Sequence, residues 1–141
     1  MRHSLLAVAL VMLAACNEIK EVALVRVEST QPFDASAASE AFARETARGT
    51  EKHRAVLTAL MTLAPERTPA TTYLEITRTQ NGLLATAIFD DIAEDDSISG
   101  YRYTLTFSET DKSTLEIKDA QQSHRCWSDR GHRDFSIKPC S

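Results

Sequence analysis

From Thr71 onward this chain repeats with a period of two, and that constrains its fold more than any other feature. Tyr101, Tyr103, Leu105 and Phe107 alternate with Arg102, Thr104, Thr106 and Ser108, the pattern of a strand with one buried and one polar face. Thr71 to Thr79 and Leu83 to Asp90 are two further strand-like runs, separated by Gln80-Asn81-Gly82. An Asn-Gly pair between such runs predicts a hairpin, with both residues in the positive φ of a type I′ turn. Glu109 to Lys112 turns the chain again into Thr114 to Ala120, where Leu115 and Ile117 face inward. A last short strand is expected over Phe135 to Lys138.

The segment before this run has a different period. Ile19 to Glu28 is valine-rich and predicts a first strand, broken by Pro32-Phe33-Asp34. Ala35 to Ala64 is alanine-rich and charged, and Asp34 or Ser36 can cap it. Phe42, Thr46, Gly49, His53, Val56, Leu60 and Leu63 mark one helical face. Thirty helical residues would run about 45 Å against about 27 Å for an eight-residue strand, so a bend or break is expected near Gly49, with Thr50 capping a second helix. The order strand, long or broken helix, then consecutive strands implies an α+β domain with the helix packed on a curled antiparallel sheet of four to six strands. On element order alone the plan resembles the cystatin-like or nuclear-transport-factor-2-like arrangement, which carries no function with it.

The N-terminus supplies a location. Arg2 and His3 precede eleven apolar residues, Leu5 to Ala15, and Leu13-Ala14-Ala15 runs directly into Cys16. Eleven helical residues rise about 16 Å, half of a bilayer core, which suits a secretory leader and not a membrane span. The Leu-Ala-Ala-Cys run resembles a bacterial lipoprotein signal peptide. The resemblance implies that residues 1–15 are removed and that Cys16 becomes the lipid-bearing first residue, anchored in a membrane by its acyl chains. The alternative is an ordinary signal peptide in which Cys16 is incidental. Asn17 follows the cysteine where aspartate would mark inner-membrane retention, so the periplasm-facing side of the outer membrane is expected. Residues 16–21 leave only a short tether, placing a single domain over 22–141 close to that membrane.

Function classes are excluded more readily than assigned. The mature chain would hold 15 basic against 20 acidic residues, about −5 in net charge, and offers no electrostatic case for nucleic acid. Hydrophobic content of 43% argues against disorder. Glycine is confined to Gly49, Gly82, Gly100 and Gly131, too scattered for a phosphate-cradling loop, a dinucleotide fingerprint or a nucleophile elbow. His53 has no nucleophile placed beside it by any motif, and a half-buried or boundary histidine is the expected role. No catalytic residue, cofactor or metal is therefore expected, and the chain reads as a non-enzyme.

With Cys16 committed to lipid, Cys126 and Cys140 remain as a pair in an oxidising compartment, and a disulfide is expected. It would close a loop of about fifteen residues, worth roughly 3 kcal/mol in the chain-entropy account. The rival is zinc on His124, Cys126, His132 and Cys140, whose spacing matches no common zinc signature. Around the loop Arg125, Arg130, Arg133 and Lys138 outnumber Asp129 and Asp134, making a small basic island beside Trp127 and Phe135. Trp127, Arg130, His132, Arg133 and Phe135 are the candidate contacts for an envelope partner. The alternative is that Trp127 and Phe135 pack inward while the arginines are merely solvated. The stretch from Cys126-Trp127 to Pro139-Cys140 also bears a faint likeness, over fewer than twenty residues, to the tails of small uncharacterised proteobacterial lipoproteins. Asp90, Asp91, Glu94, Asp95 and Asp96 read as a solvated turn, because the spacing of a calcium loop is missing. The expected function is a membrane-anchored periplasmic binding module. A hydrolase inhibitor of the lysozyme type and a small-ligand carrier with a pocket between helix and sheet are the alternatives.

Overall fold

The structure is a computed structural model that describes residues 26–93 and 96–141. The leader, Cys16, the tether and most of the predicted first strand lie outside the described residues. Among the described residues, five strands form one antiparallel sheet in the order β1-β5-β4-β3-β2. They are β1 (Gln31–Pro32), β2 (Pro69–Thr79), β3 (Gly82–Ile92), β4 (Ile98–Glu109) and β5 (Leu115–Cys126). Two helices, α1 (Ser36–Ala47) and α2 (Lys52–Met61), cover one face of it. The α+β architecture is therefore the expected one, with a broken helix on an antiparallel sheet.

The helix breaks where glycine stands. Gly49 takes φ of +79°, its N–H bonds to the Thr46 carbonyl at 3.0 Å, and the Thr50 N–H reaches back to the Glu45 carbonyl at 3.0 Å. These are the two bonds of a Schellman motif, which consumes Thr50 in ending α1. The cap of α2 consequently falls to Glu51, whose side chain accepts from the Arg54 N–H, and not to Thr50. Asp34 does act at the start of α1, accepting from the Ser36 N–H at 2.9 Å. Because the break resets the helical phase, the expected single face does not survive. Phe42, Val56 and Leu60 are buried, whereas Thr46, Gly49 and His53 are exposed.

Alternation along β3 and β4 builds the other side of the core. Leu83, Ala85, Ala87 and Phe89 of β3 meet Tyr103, Leu105 and Phe107 of β4 under the helices. The small residues Ala85 and Ala87 face a helix that is itself small where it packs, with Ala55 and Ala59 fully buried beside Val56 and Leu60. Phe42 of α1 packs on Phe107 with ring centroids 5.1 Å apart, and Phe33 meets Tyr103 edge-on at 5.3 Å. Burying each large side chain of this layer contributes about 1.5–3 kcal/mol.

Four local expectations are corrected. The hairpin between β2 and β3 pairs Thr79 with Gly82, so its two-residue loop is Gln80-Asn81, and Asn81 does not take positive φ. Gly82 is required instead by the next strand, since a Cβ there would lie 2.0 Å from the Phe107 carbonyl oxygen. At the N-terminal end the paired residues of β1 are Gln31 and Pro32, beyond the predicted strand, with Pro32 on a sheet edge where its missing N–H costs no ladder bond. Among the described residues the predicted final strand reduces to two single bridges, Val27 with Phe135 and His124 with Ser136. β5 is longer than expected, continuing through Cys126.

Gly82→Ala is expected to cost about 2–3 kcal/mol, because backbone must move to admit the methyl. A urea titration should show a lower midpoint at unchanged slope.

Candidate functional site

The end of the sheet that carries the disulfide is organised by a missing side chain. Asp90 of β3 and Arg125 of β5 each stand opposite Gly100 of β4. A Cβ on Gly100 would sit 2.5 Å from Asp90 Oδ1. Glycine there lets the carboxylate and the guanidinium meet across the intervening strand. Arg125 Nε donates to Asp90 Oδ1 at 2.9 Å and Nη2 donates to Oδ2, a bidentate pair with Asp90 only 1% exposed. The Arg125 guanidinium also lies 5.7 Å from the ring centre of Phe135, which is fully buried.

Next to this pair β4 carries one extra residue. The register slips between Ile98 and Gly100, and buried Ser99 turns its hydroxyl to the carbonyls of Cys126 and Arg125 at 3.0 and 3.4 Å. β5 then runs into the bridge between Cys126 and Cys140, whose Cα atoms are 5.6 Å apart, so the expected disulfide is present. Backbone bonds tighten the loop from within. Cys126 N–H donates to the His132 carbonyl at 2.9 Å, Arg130 N–H to Trp127, and Ser141 N–H to Arg130 at 2.7 Å.

The structure divides the candidate contact residues. Arg130 and Arg133 are exposed, and Trp127 is half-buried with partners of its own. Phe135 is fully buried and presents nothing to a partner, which corrects its assignment to a contact surface. His132 is turned onto backbone, with Nδ1 2.8 Å from the Asp134 carbonyl and Nε2 2.8 Å from that of Lys138. The basic island is also smaller than its composition. Arg125 is spent on Asp90, and Lys138 Nζ bonds Glu28 Oε1 at 2.6 Å, holding the Glu28 carboxyl below the usual carboxylate range. Arg130 and Arg133 remain, with Asp129 4.0 Å from Arg130 and the Cys126 carbonyl 3.3 Å from Arg133.

Two imidazoles that are eight positions apart in sequence come together behind the disulfide. The rings of His124 and His132 lie 5.4 Å apart, and both Nε2 atoms are 2.8 Å from the Lys138 carbonyl oxygen. Burial lowers the His124 pKa, against the raising effect of its bond to Lys138. Ligand atoms of His124, His132 and Cys140 all lie within 4.8 Å of one another. In the disulfide Cys140 offers no thiolate.

Other candidates are dispersed. His53 is exposed in the first turn of α2, just after the break, and bonds Glu51 Oε1 at 2.9 Å, so of its two expected roles the boundary residue at the bend is found and the half-buried one is not. The acidic run splits, with Asp90 inside the sheet, Asp91 and Asp96 exposed, and residues 94 and 95 outside the described residues. Shallow depressions lie along the sheet ends and the α1–β5 margin, the latter lined by Phe42, Thr46, Leu115 and Ile117. The sheet face away from the helices is mixed, carrying Glu75, Arg102, Thr104, Gln121 and Ser123 alongside Tyr73, Leu84 and Ile88. Among the described residues, the buried hydroxyls of Thr104 and Ser123 there have no hydrogen-bond partner. Sequence reasoning missed the Asp90–Arg125 pair. Its one available signal was Gly100 interrupting an otherwise bulky strand.

No protein-family model matches this chain, and no match is found among curated proteins or solved structures. Among the described residues no helix is long and apolar enough to cross a membrane.

Arg125→Met would leave a buried carboxylate without its cation, a loss of about 3–5 kcal/mol. The double variant Asp90→Asn/Arg125→Met should recover part of that loss in a chemical-denaturation cycle. A single variant as stable as the parent would show that the pair bears no structural weight.

Proposed function

We propose that this chain is a membrane-anchored lipoprotein of the bacterial envelope, facing the periplasm, that acts as a non-enzymatic binding module. The anchor reading rests on the Leu13-Ala14-Ala15-Cys16 run after an eleven-residue apolar stretch. The observation that carries the binding reading is the disulfide-closed loop. It is clamped at both ends, fixed internally by backbone bonds, and projects Arg130 and Arg133 into solvent beside Trp127. A preordered loop loses little conformational entropy on binding, and two exposed guanidiniums, held only by a 4.0 Å contact to Asp129 and one bond to the Cys126 carbonyl, suit carboxylates on a partner. The expected partner is an envelope protein with an acidic surface near the outer membrane.

The same clamped loop supports a second reading, in which it plugs the cleft of a lysozyme-type hydrolase. The carrier reading has less support, because Phe42, Val56 and Leu60 fill the layer between helices and sheet where a ligand would sit.

Arg130→Glu/Arg133→Glu in the full chain is expected to abolish crosslinking to the partner in native envelopes. Both side chains are exposed, so the melting temperature should stay within a degree or two. Crosslinks that persist in the folded variant would overturn the assignment of this loop as the contact. Inhibition of a lysozyme panel by micromolar protein would select the second reading.

A further inference from the structure

We infer that the disulfide closes a zinc site, and that reduction of Cys126–Cys140 opens a two-thiolate, two-imidazole centre formed with His124 and His132. Three of the four donors already stand together, with ligand atoms of His124, His132 and Cys140 within 4.8 Å of one another. The fourth, Cys126 Sγ, is bonded to Cys140 Sγ. His124 and Cys126 are two apart on β5, His132 follows in the loop, and Cys140 is on the tail. Two sulfurs and two imidazole nitrogens are the donor set of a tetrahedral structural zinc site.

The orientation of His132 adds an independent argument. Its Nδ1 donates to the Asp134 carbonyl at 2.8 Å, so once Nε2 gives up the proton it shares with the Lys138 carbonyl oxygen, the Nε2 lone pair is turned to a metal. A metal-ligating histidine is ordinarily oriented in this way by a carbonyl behind it. Both Nε2 atoms converge on one point, which the Lys138 carbonyl oxygen holds while the disulfide is intact. Pro139 is exposed and Cys140 half-buried, and the tail is held by the bridge to Cys126 together with the Ser141 N–H on the Arg130 carbonyl and Lys138 Nζ on Glu28. Breaking the bridge frees both sulfurs at once and removes the covalent tie on the tail, so that a metal can compete with the Lys138 carbonyl oxygen for the two Nε2 atoms.

The chemistry balances with a dithiol donor of the thiol-exchange class. Its two electrons and two protons convert the disulfide into two thiols, and the donor becomes a disulfide. On binding Zn²⁺ each thiol gives its proton to solvent and each Nε2 gives up the proton it shared with the Lys138 carbonyl oxygen, so two thiolates and two neutral imidazoles leave the centre without net charge. Cys140 is the accessible side of the bridge for attack, since it is half-buried as a residue while Cys126 is fully buried. The disulfide form would be metal-free and the dithiol form metal-bound, giving the loop two states set by thiol redox poise.

The test titrates Co²⁺, as a spectroscopic stand-in for Zn²⁺, into the full chain in detergent after reduction with a phosphine. Expected are one equivalent bound per chain, a thiolate-to-cobalt charge-transfer band and the intense d–d bands of a tetrahedral ion. The bands should disappear when Zn²⁺ is added and be absent from the oxidised protein. Cys126→Ser/Cys140→Ser serves as the blank, so that any contribution of Cys16 cancels. His124→Gln/His132→Gln should weaken binding by about tenfold or more. Equal affinity in the histidine variant, or no band in the reduced parent, overturns the proposal. Melting of the reduced chain with and without Zn²⁺ guards against loss of fold on reduction. Zinc should raise the melting temperature of the parent and not of the blank, and an equal effect on both counts against the site.

Discussion

Asp90 and Arg125 meet inside the sheet because the strand between them carries Gly100, and the C-terminal part of the molecule is arranged around that meeting. A carboxylate that is 99% removed from solvent is tolerable only with a cation held in good geometry. The bidentate bond aligns β3 with β5 across β4. It also fixes the guanidinium over Phe135, which packs the returning tail against the sheet. Phe135 exchanges backbone bonds with residues 26 and 28, so the N-terminal segment is docked on the same feature.

The two halves of the structure are stabilised by different physics. Under the helices the sheet is conventional, with alternating apolar side chains covered by Ala55, Val56, Ala59, Leu60 and Phe42. Beyond Gly100 burial is polar as well as apolar, with Asp90, Ser99, Arg125 and Ser136 all inside and bonded. Polar interiors of this kind specify one geometry, since each group is costly unless its partner is in place. That end holds the loop rigidly enough to present two arginines, and it also brings two imidazoles against one disulfide.

How legible this was depends on how local each signal is. The hairpin between β2 and β3, the alternation of β4, the break at Gly49 and the pairing of Cys126 with Cys140 can all be read from neighbouring residues or from parity. The use of Gly82 could not, because its demand comes from Phe107, twenty-five positions away. Asp90 looked like the first residue of an acidic turn, since Asp91 follows it and three further acids come soon after. Only the partner strand separates it from them. Arg125 looked like part of a surface for the same reason, whereas for Phe135 surface and inward packing were both open readings and the fold chose the second.

The sequence by itself determined the faces: which positions along each strand look toward the helices, where the helix must stop, and which cysteines are left to pair. Periodicity and turn chemistry act over a few residues, and they survive being read without coordinates. The tertiary structure decided which groups meet. Asp90 with Arg125, His124 with His132, and Val27 with Phe135 depend on the offset between strands and on the path of the tail. That offset is set by packing and by a bulge at Ser99, through contacts distant in sequence. Charge and aromatic content of the loop were therefore evident in the sequence, but their division into an exposed pair of arginines and a buried polar centre belongs to the fold.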